Sequence, residues 1–584
     1  MRTAPELARS AIHLQGCSRL EAGVGQGGAR GALPAPRPRC RAGLIVASSE
    51  PLALLQRAVA ALQRGAWAEA ADLARAVLQR FGPDLNALMV LAAVRTQAGD
   101  PPGAIEFYER ARALAPDHVH LLVNLAAAYR AAARLPEARR ALESALQVEP
   151  RFAIAHNNLG NVLTDLGERA AAVSSYERAA ALDPRYADPV AGLARMAEEE
   201  HRLEDARGFA KRALQLAPHH VLATLTLART RFRQDEPAAA AALLETLLSS
   251  GALSLTNRIL AQGYLGEAYD RLARYEEAFA AFSEANSLQH AQYASAFSAE
   301  RGPLVPASIA RLTQLMQAAD PAAWGAAPPA ARVPVFLIGF PRSGTTLLDQ
   351  MLASHPEVTT LEERDNLIDV ARELLGSEES LQGWGDLAAE QIERLRELYW
   401  RRVDSGAQDG PMRRVFIDKQ PLNAALLPLI YRLFPSAPII LALRDPRDVV
   451  LSCYQQRFGM NVAMYQLLRL DTSSAYYDLV MRLVAVSRAK LPLRVHTVKY
   501  EAVVGNFEMT LRELLGFLGL GWDEGVRAYT ATARKRTIGT PSAAQVVRPL
   551  YGSACGKWRH YAPYLGPCTP LLAPWVEAFG YDPK

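Results

Sequence analysis

The sequence predicts a multidomain chain: an all-α solenoid of helical repeats, then an α/β domain built on a mostly parallel sheet. Three observations lead there. Proline recurs at Pro116, Pro150, Pro184 and Pro218, in steps of 34 residues, and two alanine series keep the same step: Ala104, Ala138, Ala172, Ala206 and Ala111, Ala145, Ala179, Ala213. Beyond residue 332, short apolar runs alternate with helical stretches: "VPVFLIGF", "RVFIDK", "APIILALRD", "LRVHTVKYE". Strands separated by helices are the pattern of a parallel sheet. The first of these runs ends in a glycine turn that leads directly into a helix, "GFPRSGTTLLDQMLASH". Backbone N–H groups and the helix dipole favour an anion at such a place.

Each 34-residue unit reads as two helices. The alanines let the helices approach closely, and the proline stops the second one. Unrelated alanine-rich helices would not keep three positions in phase over four units. The step, the small residues and the closing proline resemble the tetratricopeptide repeat. Residues 51–84 and 255–290 read as degenerate units, which makes about seven repeats by the 34-residue ruler. The expected division is a disordered segment over 1–50, rich in Gly, Arg, Ala and Pro, then repeats over 51–300. A linker, partly helical and then Pro/Ala-rich, follows over 301–332, and the α/β domain fills 333–584.

At 584 residues, half of them hydrophobic, the chain can bury sizeable cores, and a formal charge of +5 is a small excess at that length. The excess gives weak support to anionic ligands and no pointer to nucleic acid. No apolar run approaches 18 residues, so no transmembrane helix is expected. The basic N-terminus lacks the apolar core of a signal peptide, so a cytoplasmic protein is expected. Heavy use of Ala and Arg suggests a bacterial source. Cys17, Cys40, Cys453, Cys555 and Cys568 show no C-x-x-C spacing, so no metal is expected. Cys555 and Cys568 pair only if the compartment is oxidising.

The glycine turn departs from a triphosphate-binding loop, G-x-x-x-x-G-K-[ST]. Gly339 and Gly344 keep the glycine spacing, but Thr345 stands where the lysine should be, and the cation is Arg342. Ser343, Gly344, Thr345 and Thr346 offer amides and hydroxyls to an anion, and Arg342 a planar cationic fork. A second anion site is read in "LALRDPRDVVLSCYQQRF". There Arg444 ends a strand and Ser452 lies about two turns into a helix. The plainer readings are an Arg444 paired with a nearby carboxylate, and an Asp445 that ends a triphosphatase strand. His355, before Pro356, reads as closing the loop helix and meeting its dipole.

The pair "PRSGTT" and "RDPRDVVLS" looks like the 5′-phosphosulfate loop and 3′-phosphate motif of the sulfotransferases, over about residues 333–565. The match is most similar to the protein-tyrosine sulfotransferase branch, in bacterial versions that carry tetratricopeptide repeats. The resemblance implies 3′-phosphoadenosine 5′-phosphosulfate as the donor and no metal. It makes Glu363, the second of "EE", the catalytic base, with Glu362 the rival; a carboxylate there can take a proton from an acceptor hydroxyl. It gives Lys419 and Ser542, beside Arg342, to the transferred group, and Tyr500 and Lys557, with Arg444 and Ser452, to the nucleotide. Ala543 and Ala544 depart from the polar residues of the tyrosine enzymes, which bears on the acceptor side. A protein or peptide tyrosine recruited by the repeats is the first expectation, with a carbohydrate or small-metabolite hydroxyl open. A P-loop kinase or triphosphatase and a catalytically inactive repeat scaffold are the alternatives.

Overall fold

The computed structural model describes residues 49–251, 253–297, 302–376, 383–406, 413–536, 546, 550, 552 and 554–583. The segment 1–48 and Ser542 lie outside them. Contacts divide the chain into two compact units, Met1–Tyr264 and Leu265–Lys584.

Among the described residues, fourteen consecutive helices from Ser49–Gln63 to Tyr275–Phe297 pair into seven hairpins. The eight in-phase alanines are all fully buried. Pro116, Pro150, Pro184 and Pro218 each stand two residues past a helix that ends at Leu114, Val148, Leu182 or Leu216. A further 34-residue series is visible only in the backbone. Positions 65, 99, 133, 167, 201 and 235, at the turns inside the first six hairpins, all have positive φ, from 57° to 78°. Glycine holds three of them; Ala133, His201 and Asp235 hold the others at a steric cost. Ala133→Gly is therefore expected to stabilise the repeats by about 0.5–1 kcal/mol, read as a higher Tm. A lower Tm would show that the extra freedom of glycine in the unfolded chain outweighs the relieved strain.

In the second unit five strands form one sheet: β1 (Val335–Gly339), β2 (Val358–Glu362), β3 (Val415–Lys419), β4 (Pro438–Leu443) and β5 (Arg494–Lys499). Their order is β2-β3-β1-β4-β5, and each neighbouring pair is parallel. Side chains alternate between two cores, one on each face. Phe336 and Ile338 join Val449, Val450 and Cys453 from the helix Pro446–Tyr454. Val335 and Leu337 join Leu348, Met351 and Leu352 from the helix Thr345–Ala353. The helices that follow the glycine loop and Arg444 thus pack on opposite faces of the sheet.

Two features bear on the boundaries. The stretch read as a linker contains the helix Pro306–Ala318, and its Ile309, Leu312 and Met316 are buried in the core of the second unit. Their 3- and 4-residue spacing makes one apolar face, which the Pro/Ala-rich flank hides in a composition reading. The division falls at Tyr264/Leu265, well before residue 300. Past it, Phe279 stacks on Tyr564 at 3.9 Å and Tyr275 on His560 at 4.5 Å. No described helix is long and apolar enough to cross a membrane.

Candidate active site

Every strand of the sheet delivers a polar side chain at or just past its carboxyl end. β1 leads into the glycine loop, β2 into Glu362 and Glu363, β3 ends on Lys419, β4 precedes Arg444, and β5 precedes Tyr500. β1 lies between β3 and β4, where the strand order changes direction, and open α/β sheets bind ligands outside such a point.

The loop is shaped by close backbone approach. A Cβ on Gly339 would lie 2.6 Å from the Ala442 carbonyl oxygen and 2.7 Å from Ser343 Oγ. Gly344 has φ 96°, and a Cβ there would meet the Tyr500 ring at 2.9 Å. Arg342 also has positive φ, 71°. Thr345 and Thr346 open the helix and are buried, as is Ser343, whose hydroxyl oxygen has no hydrogen-bond partner.

The two sequence motifs meet. Arg342 Nε donates to Ser452 Oγ at 3.0 Å. Arg444 Nη1 donates to the Arg342 carbonyl at 3.4 Å, and its guanidinium lies 5.0 Å from the centre of the Tyr500 ring. Arg444 also donates to the Ala554 carbonyl and faces Asp448 at 3.7 Å, while its buried Nε has no partner. Part of the plainer reading therefore holds: Arg444 does have a carboxylate. Asp448 in turn accepts from the N–H groups of Gly556 at 2.7 Å and Trp558 at 2.8 Å, which pins the segment that carries Lys557. Burial raises the Asp448 carboxyl, against the lowering effect of Arg444 and the two N–H groups. The Lys557 ammonium donates to Gln455 Oε1 at 2.9 Å and Asp270 Oδ2 at 2.8 Å.

On the other side of the loop, Lys419 is fully buried and donates to Glu363 Oε1 at 2.9 Å and Glu362 Oε1 at 3.2 Å. Glu362 is the strand partner of Lys419 across β2 and β3. Glu363 turns aside with φ 42°, its N–H bonded to the Lys419 carbonyl at 2.7 Å, and its side chain is more exposed than that of Glu362, 33% against 13%. Positive φ at a non-glycine residue beside a buried cation is the kind of strain found at functional sites. Asp418, on the opposite face of β3, holds Asn366 at 3.1 Å and so steadies the chain just past Glu363; burial pushes its carboxyl up to about 6.

Two sequence readings change. His355 stands just past the helix Thr345–Ala353, and its ring has further partners. Its Nε2 lies 3.1 Å from the Gly521 carbonyl and its Nδ1 accepts the Glu357 N–H at 3.2 Å, so it staples two loops. Asp445 is held by Arg447, with Nη2 on Oδ2 at 2.7 Å and Nε on Oδ1 at 3.0 Å, and caps its own helix. Asp448, Gln455 and Asp270 were not anticipated. Asp448 had a signal, its place four residues after Arg444 in the first turn of the helix that follows; Asp270, distant in sequence, had none.

The family model for "Sulfotransferase family" matches residues 334–524, and models for "Tetratricopeptide repeat" match 46–119, 95–159, 153–186 and 197–262. The chain joins tetratricopeptide repeats to a sulfotransferase-family domain. It is 28% identical over 396 residues to an uncharacterized protein of Aquifex aeolicus, covering 63% of this chain and 48% of that one. It is 26% identical over 269 residues to protein-tyrosine sulfotransferase 2 of Gallus gallus, covering 43% and 69%. It is 28% identical over 213 residues to the nodulation protein NoeE of Sinorhizobium fredii, covering 32% and 50%. The chain thus spans about half the length of the first and third of these relatives. Arg342, Glu363, Lys419, Arg444, Ser452 and Tyr500 lie within the matched sulfotransferase-family segment, and Lys557 lies beyond it.

Proposed function

We propose that the sulfotransferase domain moves a sulfonyl group from 3′-phosphoadenosine 5′-phosphosulfate to an acceptor hydroxyl. The observation that carries the reading is the convergence of Arg342, Glu363, Lys419 and Arg444 at one edge of the sheet. The donor suits the residues present: a phosphate oxygen would satisfy the buried Ser343 hydroxyl and Arg444 Nε, two polar groups that otherwise lack partners.

In this reading the acceptor O–H gives its proton to the Glu363 carboxylate. The acceptor oxygen forms a bond to sulfur in line as the bond from sulfur to the 5′-phosphate oxygen breaks. That electron pair leaves with adenosine 3′,5′-bisphosphate. Lys419, Arg342, Ser542 and the loop amides offset the charge that grows on the bridging oxygen, and such placed donors act without reorganising. Arg444, Ser452, Tyr500 and Lys557 hold the nucleotide. No metal is invoked. Lys419 gives two of its three N–H donors to the glutamates, and the third is left for the donor's oxygen. The acceptor is proposed to be a protein or peptide tyrosine brought by the repeats, in a bacterial cytoplasm; the repeats support this because solenoids present extended binding surfaces. The triphosphatase alternative loses its support, since Arg447 occupies the Asp445 carboxylate.

The test is transfer of sulfur-35 from the labelled donor to a tyrosine peptide, with nucleotide binding measured by calorimetry. Arg444→Ala removes a charge-assisted contact worth about 1.5–3 kcal/mol. Affinity for adenosine 3′,5′-bisphosphate should fall about ten-fold or more. Adenosine 5′-phosphosulfate, which lacks the 3′-phosphate, should bind almost as before. Equal losses for both ligands would remove Arg444 from the 3′-phosphate.

A further inference from the structure

We propose that Asp270, on the helix Leu255–Arg271, is a positioning residue of the donor site: it holds the Lys557 ammonium and competes with the donor's phosphate for it. The inference rests on the reading above. Lys557 is drawn to Asp270 at 2.8 Å and to Gln455 at 2.9 Å. An ammonium has three donors, so one N–H is left for a ligand.

The place is right for that ligand. Gln455 caps the helix Pro446–Tyr454 and follows Ser452 by three residues, which puts the two on neighbouring turns of one face. Ser452 receives Arg342, and Asp448 on the same helix faces Arg444 and grips the chain on both sides of Lys557. Backbone and side chain of Lys557 are thus both fixed beside the anion pocket.

Asp270 is itself fixed. Its second oxygen accepts from the Tyr561 hydroxyl at 2.6 Å, and burial and the Asp270 charge push that phenol far up, so it stays a donor. The Tyr275–His560 and Phe279–Tyr564 stacks hold the hairpin against the Lys557 segment. A fixed carboxylate beside an anion site orients the lysine and opposes the anion's charge. Its effect is looser nucleotide binding and faster loss of the product nucleotide, the step that limits many transferring enzymes.

The experiment uses the full chain and adenosine 3′,5′-bisphosphate, titrated by calorimetry. Asp270→Asn keeps an oxygen for Lys557 and removes the charge, so affinity should rise about three- to ten-fold, the scale of one partly screened charge a few ångströms away. In a Lys557→Met background the same substitution should change affinity by less than about two-fold, because the lysine is the shared partner. A purely structural Asp270 would weaken binding in both backgrounds. Tyr561→Phe gives a second handle if Asp270→Asn does not fold. It leaves the carboxylate to Lys557 alone and should lower affinity about two-fold or more. A wild type that binds nucleotide, with Asp270→Asn unchanged or weaker, overturns this inference alone. A wild type that binds no nucleotide overturns the sulfotransferase reading and this inference with it.

Discussion

Glu363→Gln is expected to lower turnover by about 10²–10⁴, the usual contribution of a general base, while nucleotide affinity stays near the wild-type value. Glutamine keeps the shape of the side chain and one oxygen for Lys419, but it cannot take a proton at neutral pH. The donor is held by other residues, so its binding has little reason to change. Glu362 is the control. It lies opposite Lys419 in the strand register, and its side chain is 13% exposed where that of Glu363 is 33% exposed. The less exposed carboxylate is suited to balance the buried lysine; the more exposed one, turned aside at φ 42°, is suited to meet an acceptor. Glu362→Gln should therefore lower turnover less than Glu363→Gln does. Single-turnover sulfur-35 transfer and calorimetry on both variants separate the roles. Full turnover in Glu363→Gln would pass the role of base to Glu362 or to water.

Truncation should have a sharp threshold. A chain that begins at Leu255 keeps the seventh hairpin whole and is expected to fold and bind adenosine 3′,5′-bisphosphate within about three-fold of the full chain, less than one decade of affinity. A chain that begins at residue 301 loses it. Tyr564 and His560 then lose their stacking partners Phe279 and Tyr275, Asn286 leaves the Tyr454 carbonyl, and Asp270 leaves Lys557. Each aromatic pair is worth about 0.5–1.5 kcal/mol beyond the area it buries, and each hydrogen bond about 1 kcal/mol. Together these losses are a large share of the stability of a domain, about 5–15 kcal/mol. The shorter chain should be insoluble or melt at least about 10 °C lower, and should lose nucleotide affinity. Thermal melts and calorimetry on the two chains decide it. Equal melting and equal binding would show that the hairpin is dispensable to the second unit. A protein acceptor that both chains handle as well as the full-length protein would remove the repeats from acceptor recruitment.

Much of the architecture could be read in the chain because the relevant forces are local or periodic. A 34-residue step that repeats small residues and prolines needs no tertiary information, and the eight alanines are buried to the last one. The apolar runs of β1, β3 and β4 were strands because they are buried along nearly their whole length, so hydrophobicity runs almost unbroken along them, while the edge strand β5 is only partly buried. The loop and Arg444 were legible because glycine spacing, a strand end and a helix start are neighbours in sequence. Cys453, by contrast, carried no role; burial pushes its thiol up to about 12, and it donates to the Pro341 carbonyl at 3.3 Å beneath the loop.

What the sequence determined by itself is the succession of repeats and parallel sheet and the places of the glycine loop and the Arg444 strand end, since each is written in residues within a few turns of one another. Only the tertiary structure decided which partners those residues have. Parallel pairing set Glu362 against Lys419 across more than fifty residues of chain, and helix packing set Arg342 against Ser452. It also drew the helix Tyr275–Phe297 into the second unit and placed Asp270 on Lys557. The physical reason is that an ion pair or an aromatic stack depends on distance in space, and nothing in the local pattern around Asp270 records which lysine, 287 positions away, the fold brings to it.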